Sequence, residues 1–327
     1  MLQGDRVVLG QAMTLVESEL SEDRKDAVEL LEKCEKHLST GDNSIRMTVS
    51  GAPGVGKSTL IEALGKKAVS NDHKVGVITV DPSSAVSHGS ILGDKSRMLQ
   101  LASSDKAFVR SSPAGALLGG LGRRSFELMT ILAAAGYDWI FVETVGVGQS
   151  EHIAWQLTDG FILVIQPGSG DELQGIKRGI TELADIIVIN KEDSHLREAA
   201  VISKSHYQNA IHYFTPLRRH WQPKTLTVSA IEGTGIDEFW EILRLFRNSR
   251  IENHQLTPER NRQNDYWLSW SLGITAHELL MNHPVVNQKI KEGLSIGRKP
   301  PESKFKREFE IENAMREIIA ASDQKQE

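Results

Sequence analysis

Gly51, Ala52, Pro53, Gly54, Val55, Gly56, Lys57 and Ser58 satisfy the pattern G-x-x-x-x-G-K-[ST] at every fixed position. That pattern binds phosphate. Its glycines let backbone N–H groups turn inward around phosphate oxygens, its lysine brings a point charge to the terminal phosphates, and its serine hydroxyl can hold Mg²⁺. A second set, Asn190, Lys191, Glu192 and Asp193, is an N-K-x-D box. A carboxylate at Asp193 accepts two hydrogen bonds from the N1–H and exocyclic amine of guanine. Adenine offers no such donor pair and would leave the carboxylate desolvated and unpaired. Ser229, Ala230 and Ile231 follow the next apolar run, where a backbone contact to the guanine edge is expected; an ordinary strand-to-loop junction reads the same way.

Three further segments could serve the terminal phosphate. Glu143 ends an apolar run and is followed by Thr144, Val145 and Gly146. A carboxylate there reaches Mg²⁺ or its water shell, and the Gly146 N–H can sense a γ-phosphate. The next residue is Val147, which cannot orient water as a glutamine would, and Gln149 lies too far along to replace it. Slow intrinsic hydrolysis, accelerated by a partner or a dimer contact, is the expectation. Asp81 and Asp94 are both candidates for the metal or the attacking water. Asp81 beside Pro82 also reads as a turn former, and Asp94, between Gly93 and Lys95, is the stronger switch candidate. The glycines of residues 166–172 permit large backbone changes; the segment is either a connector or a third nucleotide-responsive loop.

These residues need a scaffold that sets them at one end of a sheet. Residues 45–50, 74–80, 139–143, 161–165, 186–190 and 225–229 read as strands, mostly without strict alternation, as in a parallel sheet covered on both faces. Helical stretches such as 125–136 and 173–184 lie between them. The pattern is α/β, a doubly wound and mostly parallel sheet with helical N- and C-terminal extensions. Residues 1–43 form the first extension: Ala12, Met13 and Val16 share one helical face. A second helix starts at Ser21, buries Ala27, Leu30, Leu31, Cys34 and Leu38, and stops at Gly41. Residues 44–250 form the nucleotide domain. Residues 251–327 change character, with Trp267, Trp270, Ile274 and Met281 on one helical face; this segment either packs on the main domain or pairs with a second copy.

Bulk properties narrow the class. The chain has 327 residues, 39% hydrophobic and 25% charged, as in soluble globular proteins. A net charge of −5 implies no general nucleic-acid surface, and no stretch reads as a membrane span. A single cysteine excludes an internal disulfide framework, and the eleven histidines show no ligand spacing. A cytoplasmic setting is expected.

The runs Val80-Asp81-Pro82-Ser83-Ser84, Gly89-Ser90-Ile91-Leu92-Gly93-Asp94-Lys95, VETVGVGQSE over residues 142–151 and GDELQGIK over residues 170–177 resemble the MeaB/ArgK GTPases, whose human relative is MMAA. The resemblance covers residues 8–250 well and the remainder more loosely. It implies a P-loop GTPase of the SIMIBI class, binding GTP or GDP with Mg²⁺. Its implied role is that of a chaperone gating cofactor loading on an adenosylcobalamin-dependent acyl-CoA mutase, typically methylmalonyl-CoA mutase, and protecting that enzyme. A homodimer is implied, with the C-terminal helices helping. By matching motif, residues 51–58 and Thr59 bind phosphates; Lys57, Asp94 and Glu143 are catalytic; Ser58, Asp81, Asp94 and Glu143 serve the metal. Asn190, Lys191, Asp193, Ser229, Ala230 and Ile231 bind guanine, Gly146 the phosphate end, and Asp171, Gln174 and Lys177 belong to a third switch that answers the mutase. The chain departs from the family pattern at Ser111, Ala114, Gly115 and Ala116, and at Phe126, where arginine is usual before Glu127. Two other functions fit a phosphate loop. A metal-delivery GTPase for nickel enzymes would carry Cys/His motifs, and a P-loop kinase, like the older transport ATPase or kinase label of this family, runs against the guanine box.

Overall fold

In the computed structural model, β1 (Ile45–Gly51) lies at the centre of a seven-stranded sheet in which every pairing is parallel. The structure describes residues 1, 4–39, 41–81, 98–113, 124–144, 146, 150–168, 179–193, 196–288, 313 and 315. The other strands are β2 (Val75–Asp81), β3 (Ala107–Pro113), β4 (Trp139–Glu143), β5 (Gly160–Ile165), β6 (Ile186–Ile189) and β7 (Lys224–Thr227). Their order is β3-β2-β4-β1-β5-β6-β7. The chain leaves β1 toward β2 but leaves β5 toward β6, so the winding reverses between β1 and β5. Open parallel sheets bind ligands at the carboxyl ends of strands flanking such a reversal.

Helices cover both faces. One face carries α3 (Lys57–Ser70), the short α4 (Leu99–Ala102) and, later in the chain, α9 (Ile236–Glu252). Ile45, Met47, Val49, Leu60, Ile61, Leu64, Trp139, Trp240 and Phe246 are fully buried there, and the Trp139 and Trp240 ring centroids lie 5.1 Å apart. On the other face lie α5 (Ser125–Ala134) and α6 (Ser150–Leu157). The N-terminal helices α1 (Arg6–Glu17) and α2 (Ser21–Leu38) pack on each other and on α5, where Arg24 donates to the buried Glu127 at 3.0 Å. Between β5 and β7 come α7 (Ile180–Leu183) and α8 (Arg197–Ile211), and α10 (Leu256–Asn282) follows α9. Cys34 is buried on α2, and burial pushes its thiol up to about 11. No helix among the described residues is long and apolar enough to cross a membrane.

The sequence reading omits β3. It is an edge strand, so its outward residues stay polar: Arg110 forms an ion pair with Glu17 of α1 while Ala107 and Val109 face the core. The helix expected over 173–184 is described only as α7, entered through Gly179 at φ 71°; residues 173–178 lie outside the described residues.

The chain divides into two compact units, Met1–Tyr266 and one beginning at Trp267. In the first, the opening turns of α10 are held by buried polar bonds beneath the amino ends of β1 and β5. Arg260 donates to Asp159 Oδ1 at 2.8 Å and to the Ser44 carbonyl at 3.1 Å, and Gln263 donates to the same Asp159 oxygen at 3.0 Å. In the second, Leu268, Leu272 and Leu279 are exposed.

Candidate functional site

β1 runs into the phosphate loop, and the loop's shape forces its glycines. Gly51 has φ 153°, and a Cβ on it would stand 2.2 Å from the Val164 carbonyl of β5. Gly54 and Gly56 adopt φ 78° and 96°, the left-handed region that side chains rarely enter. A Cβ on Gly56 would meet Asn190 Nδ2 at 2.5 Å. Ala52, Pro53 and Gly54 are exposed at the rim, Val55 is buried, and Thr59 is exposed on the first turn of α3. Lys57 is buried, and its ammonium donates to the Gly51 and Ala52 carbonyls at 2.9 and 3.2 Å. The cation therefore sits inside the loop whose N–H groups and helix N-terminus already favour an anion.

Ser58, next on α3, donates its hydroxyl to Glu143 Oε1 at 2.7 Å. The pairing register aligns Glu143 with Val49 on one side and Thr79 on the other, so β4 delivers its last residue between β1 and β2. A hydroxyl and a carboxylate in contact form a hard oxygen pair of the kind Mg²⁺ takes. Gly146 follows, close enough to the loop that a Cβ on it would be 3.4 Å from the Pro53 ring. Thr144 holds this segment to β1: its N–H donates to the Val49 carbonyl at 3.1 Å and its hydroxyl to Ser50 Oγ at 3.0 Å. The sequence reading missed Ser50, which reads as an ordinary strand residue.

The base-side residues converge on the same rim. Asn190 leaves β6 and ties two loops together: Nδ2 donates to the Val55 carbonyl at 2.9 Å, and Oδ1 accepts from the Ala230 N–H at 3.2 Å. Lys191 turns through φ 64° and donates to Gln166 Oε1 at 2.8 Å. Asp193 Oδ2 accepts from Ser229 Oγ at 3.0 Å, and that hydroxyl in turn accepts from the Glu232 N–H at 3.1 Å. The loop after Ser229 closes through Ser229 N–H to the Thr234 carbonyl at 3.0 Å, with Ile231 exposed at its tip. Asp193, Ser229 and Ala230 thus stand with the phosphate loop through Asn190.

Asp81 is the last residue of β2, in register with Pro113. Asp94, Val147, Gln149, Asp171, Gln174 and Lys177 lie outside the described residues.

Comparison with known proteins agrees with this geometry. The family model described as "Methylmalonyl Co-A mutase-associated GTPase MeaB" matches residues 9–286. The chain is 43% identical over 286 residues to GTPase ArgK of Escherichia coli, covering 88% of this chain and 84% of that one. It is 38% identical over 297 residues to the mitochondrial methylmalonic aciduria type A homolog of Mus musculus, covering 89% and 72%. Among solved structures, one described as a LAO/AO transport system kinase superposes with a TM-score of 0.74 at 33% identity, covering 96% of this chain and 95% of that one.

Proposed function

This chain belongs to the MeaB family of methylmalonyl-CoA mutase-associated GTPases, and we propose that its GTP switch gates adenosylcobalamin loading and protects an acyl-CoA mutase. The observation that carries the reading is the family match over residues 9–286, which spans the phosphate loop, the guanine box and all three candidate switch runs. The chain hydrolyses GTP, as relatives named GTPases do on this fold. The kinase in the name of the superposed structure is not carried over, because the Asn190-to-Asp193 box selects guanine.

In this reading residues 51–59 cradle the phosphates, and Asp193 with Ser229, Ala230 and Ile231 receives the base. Ser58 and Glu143 would hold Mg²⁺, with Asp81 or Asp94 serving the metal or the attacking water; the metal would supply charge neutralisation at the terminal phosphates. Gly146 meets the γ-phosphate end. Asp171, Gln174 and Lys177 belong to a third switch that answers the mutase, and the protein works as a homodimer. Val147, in the place of a water-directing glutamine, makes hydrolysis slow until the partner is present. The test mixes the protein with an adenosylcobalamin-dependent methylmalonyl-CoA mutase. GTP turnover should rise at least tenfold, a threshold set well below the roughly 10³–10⁵-fold that a partner's arginine can supply. Unchanged turnover, with the two proteins eluting separately, overturns the mutase assignment.

A further inference from the structure

The carboxyl end of α6 is gripped by two arginines from elsewhere in the chain. Arg218, on the loop before β7, donates to the Trp155 and Thr158 carbonyls at 3.1 and 2.9 Å. Arg262, on α10, donates to the Gln156 carbonyl at 3.3 Å and to the Gln156 side-chain oxygen. Both guanidiniums lie over the Trp155 ring, 5.0 and 5.1 Å from its centroid. Glu259 joins them by accepting from both, and Asp185 accepts from Arg218 Nε at 2.9 Å. Helix ends leave their last carbonyls without intrahelical partners, and cations there are favourable. A plain helix cap needs one such group; here the Trp155 ring, the Gln156 side chain and the carbonyls of Trp155, Gln156 and Thr158 are all engaged.

What lies at the other end of α6 gives the grip a second meaning. The helix starts at Ser150, four residues after Gly146, which packs on Pro53 of the phosphate loop. Two buried hydroxyl pairs also lie on β1. Thr158 Oγ1 and Thr48 Oγ1 are 3.0 Å apart, and two residues along the same strand face Ser50 accepts from Thr144. The carboxyl end of α6 and Thr144, two residues before Gly146, are thus both tied to β1.

We propose that Arg262, through Trp155 and Gln156, is a positioning residue for GTP hydrolysis: it holds α6 so that the Gly146 segment stands correctly for the γ-phosphate. This rests on the assignment of Gly146 above. GDP lacks the group that Gly146 meets, so the grip favours triphosphate over diphosphate. Coupling is reciprocal, so triphosphate binding must equally favour the grip on α10.

The test uses the full chain carrying Arg262→Ala or Trp155→Leu, with nucleotide affinities from titration calorimetry. Affinity for guanosine 5′-(β,γ-imido)triphosphate should fall by about fivefold or more, the lower range of allosteric coupling, with kcat falling too and GDP affinity staying within about twofold. If both nucleotides weaken by one factor, or neither changes, the grip is only a helix cap and the inference fails. Should Arg262→Ala not fold, Arg262→Lys reads the same split, since it keeps a charge beside Glu259 but loses the planar fork. Gly146→Ala separates the two layers. If it leaves the preference for triphosphate intact, the Gly146 assignment falls and this inference with it; if it abolishes that preference while the arginine variants do not, only this inference falls.

Discussion

Asp193 is held by a short chain of hydrogen bonds, Glu232 N–H to Ser229 Oγ and Ser229 Oγ to Asp193 Oδ2, that orients its carboxylate before any base arrives. A preoriented acceptor is what discriminates guanine from adenine, because a mismatched base leaves it buried and unpaired. Asp193→Asn turns the edge into a donor, which suits the C2 carbonyl of xanthine. GDP affinity should fall roughly 30- to 1000-fold, two charge-assisted hydrogen bonds being at stake, and xanthosine diphosphate should bind better than to the parent. Titration with both nucleotides checks this, and an unchanged preference would place the base elsewhere. The chemical side chains at this scale are legible in sequence because they act on a ligand with fixed donors. Asn190 is not legible in the same way. Its amide links Val55 to Ala230, and the first of those bonds joins residues 135 apart in sequence, so only the fold discloses that it braces the phosphate loop against the base loop.

Elements were legible where burial is uniform. β4, β5 and β6 read as apolar runs because both their faces are covered, whereas β1 reads by the alternation of Ile45, Met47 and Val49 with polar residues. β3 escaped because its role at the sheet edge mixes polar and apolar residues, and the root of α10 escaped because its partners are scattered along the chain. Asp42 belongs to that root. Burial pushes its carboxyl up, but Arg260, Arg46 and the Ser44 donors outweigh this and hold it below the usual carboxylate range. Arg46 beside it is brought down to about 10 by burial, with Arg260 adding repulsion. A carboxyl whose folded pKa is depressed contributes its stability above its unfolded value and loses it as pH falls through the folded one. At pH 7 Asp42→Asn should therefore cost about 1–3 kcal/mol, the range for hydrogen bonds to a charged group. As pH falls below about 4, the unfolded carboxyl's ordinary value, the gap between parent and variant should narrow, and it closes only below the depressed folded value, where both side chains are neutral. Urea denaturation at the two pH values measures it, and a gap that does not change with pH would mean that the ion pairs around Asp42 are not what the substitution removes.

At the scale of the whole molecule, the question is what the second unit does. Within α10, Leu268, Leu272 and Leu279 recur at helical spacing and are exposed, while Trp267, Trp270, Ile274 and Met281 form a different, half-buried stripe. A helix with apolar residues around its circumference belongs in contact with protein on more than one side. In a two-fold dimer each such leucine is buried twice, once per copy, and burying one contributes roughly 1.5–3 kcal/mol. Such burial would support the homodimer proposed above. The first unit carries its own anchor for α10: Arg260 and Gln263 fasten the opening turns to Asp159 and Ser44, all before Tyr266. A chain cut after Tyr266 should therefore keep GDP affinity within about twofold, since every residue proposed for the base and phosphates lies upstream. It should sediment as a monomer where the full chain sediments as a dimer. A truncated chain that stays dimeric would move the interface onto the first unit, and one that loses GDP would show that the nucleotide domain depends on the second unit to fold.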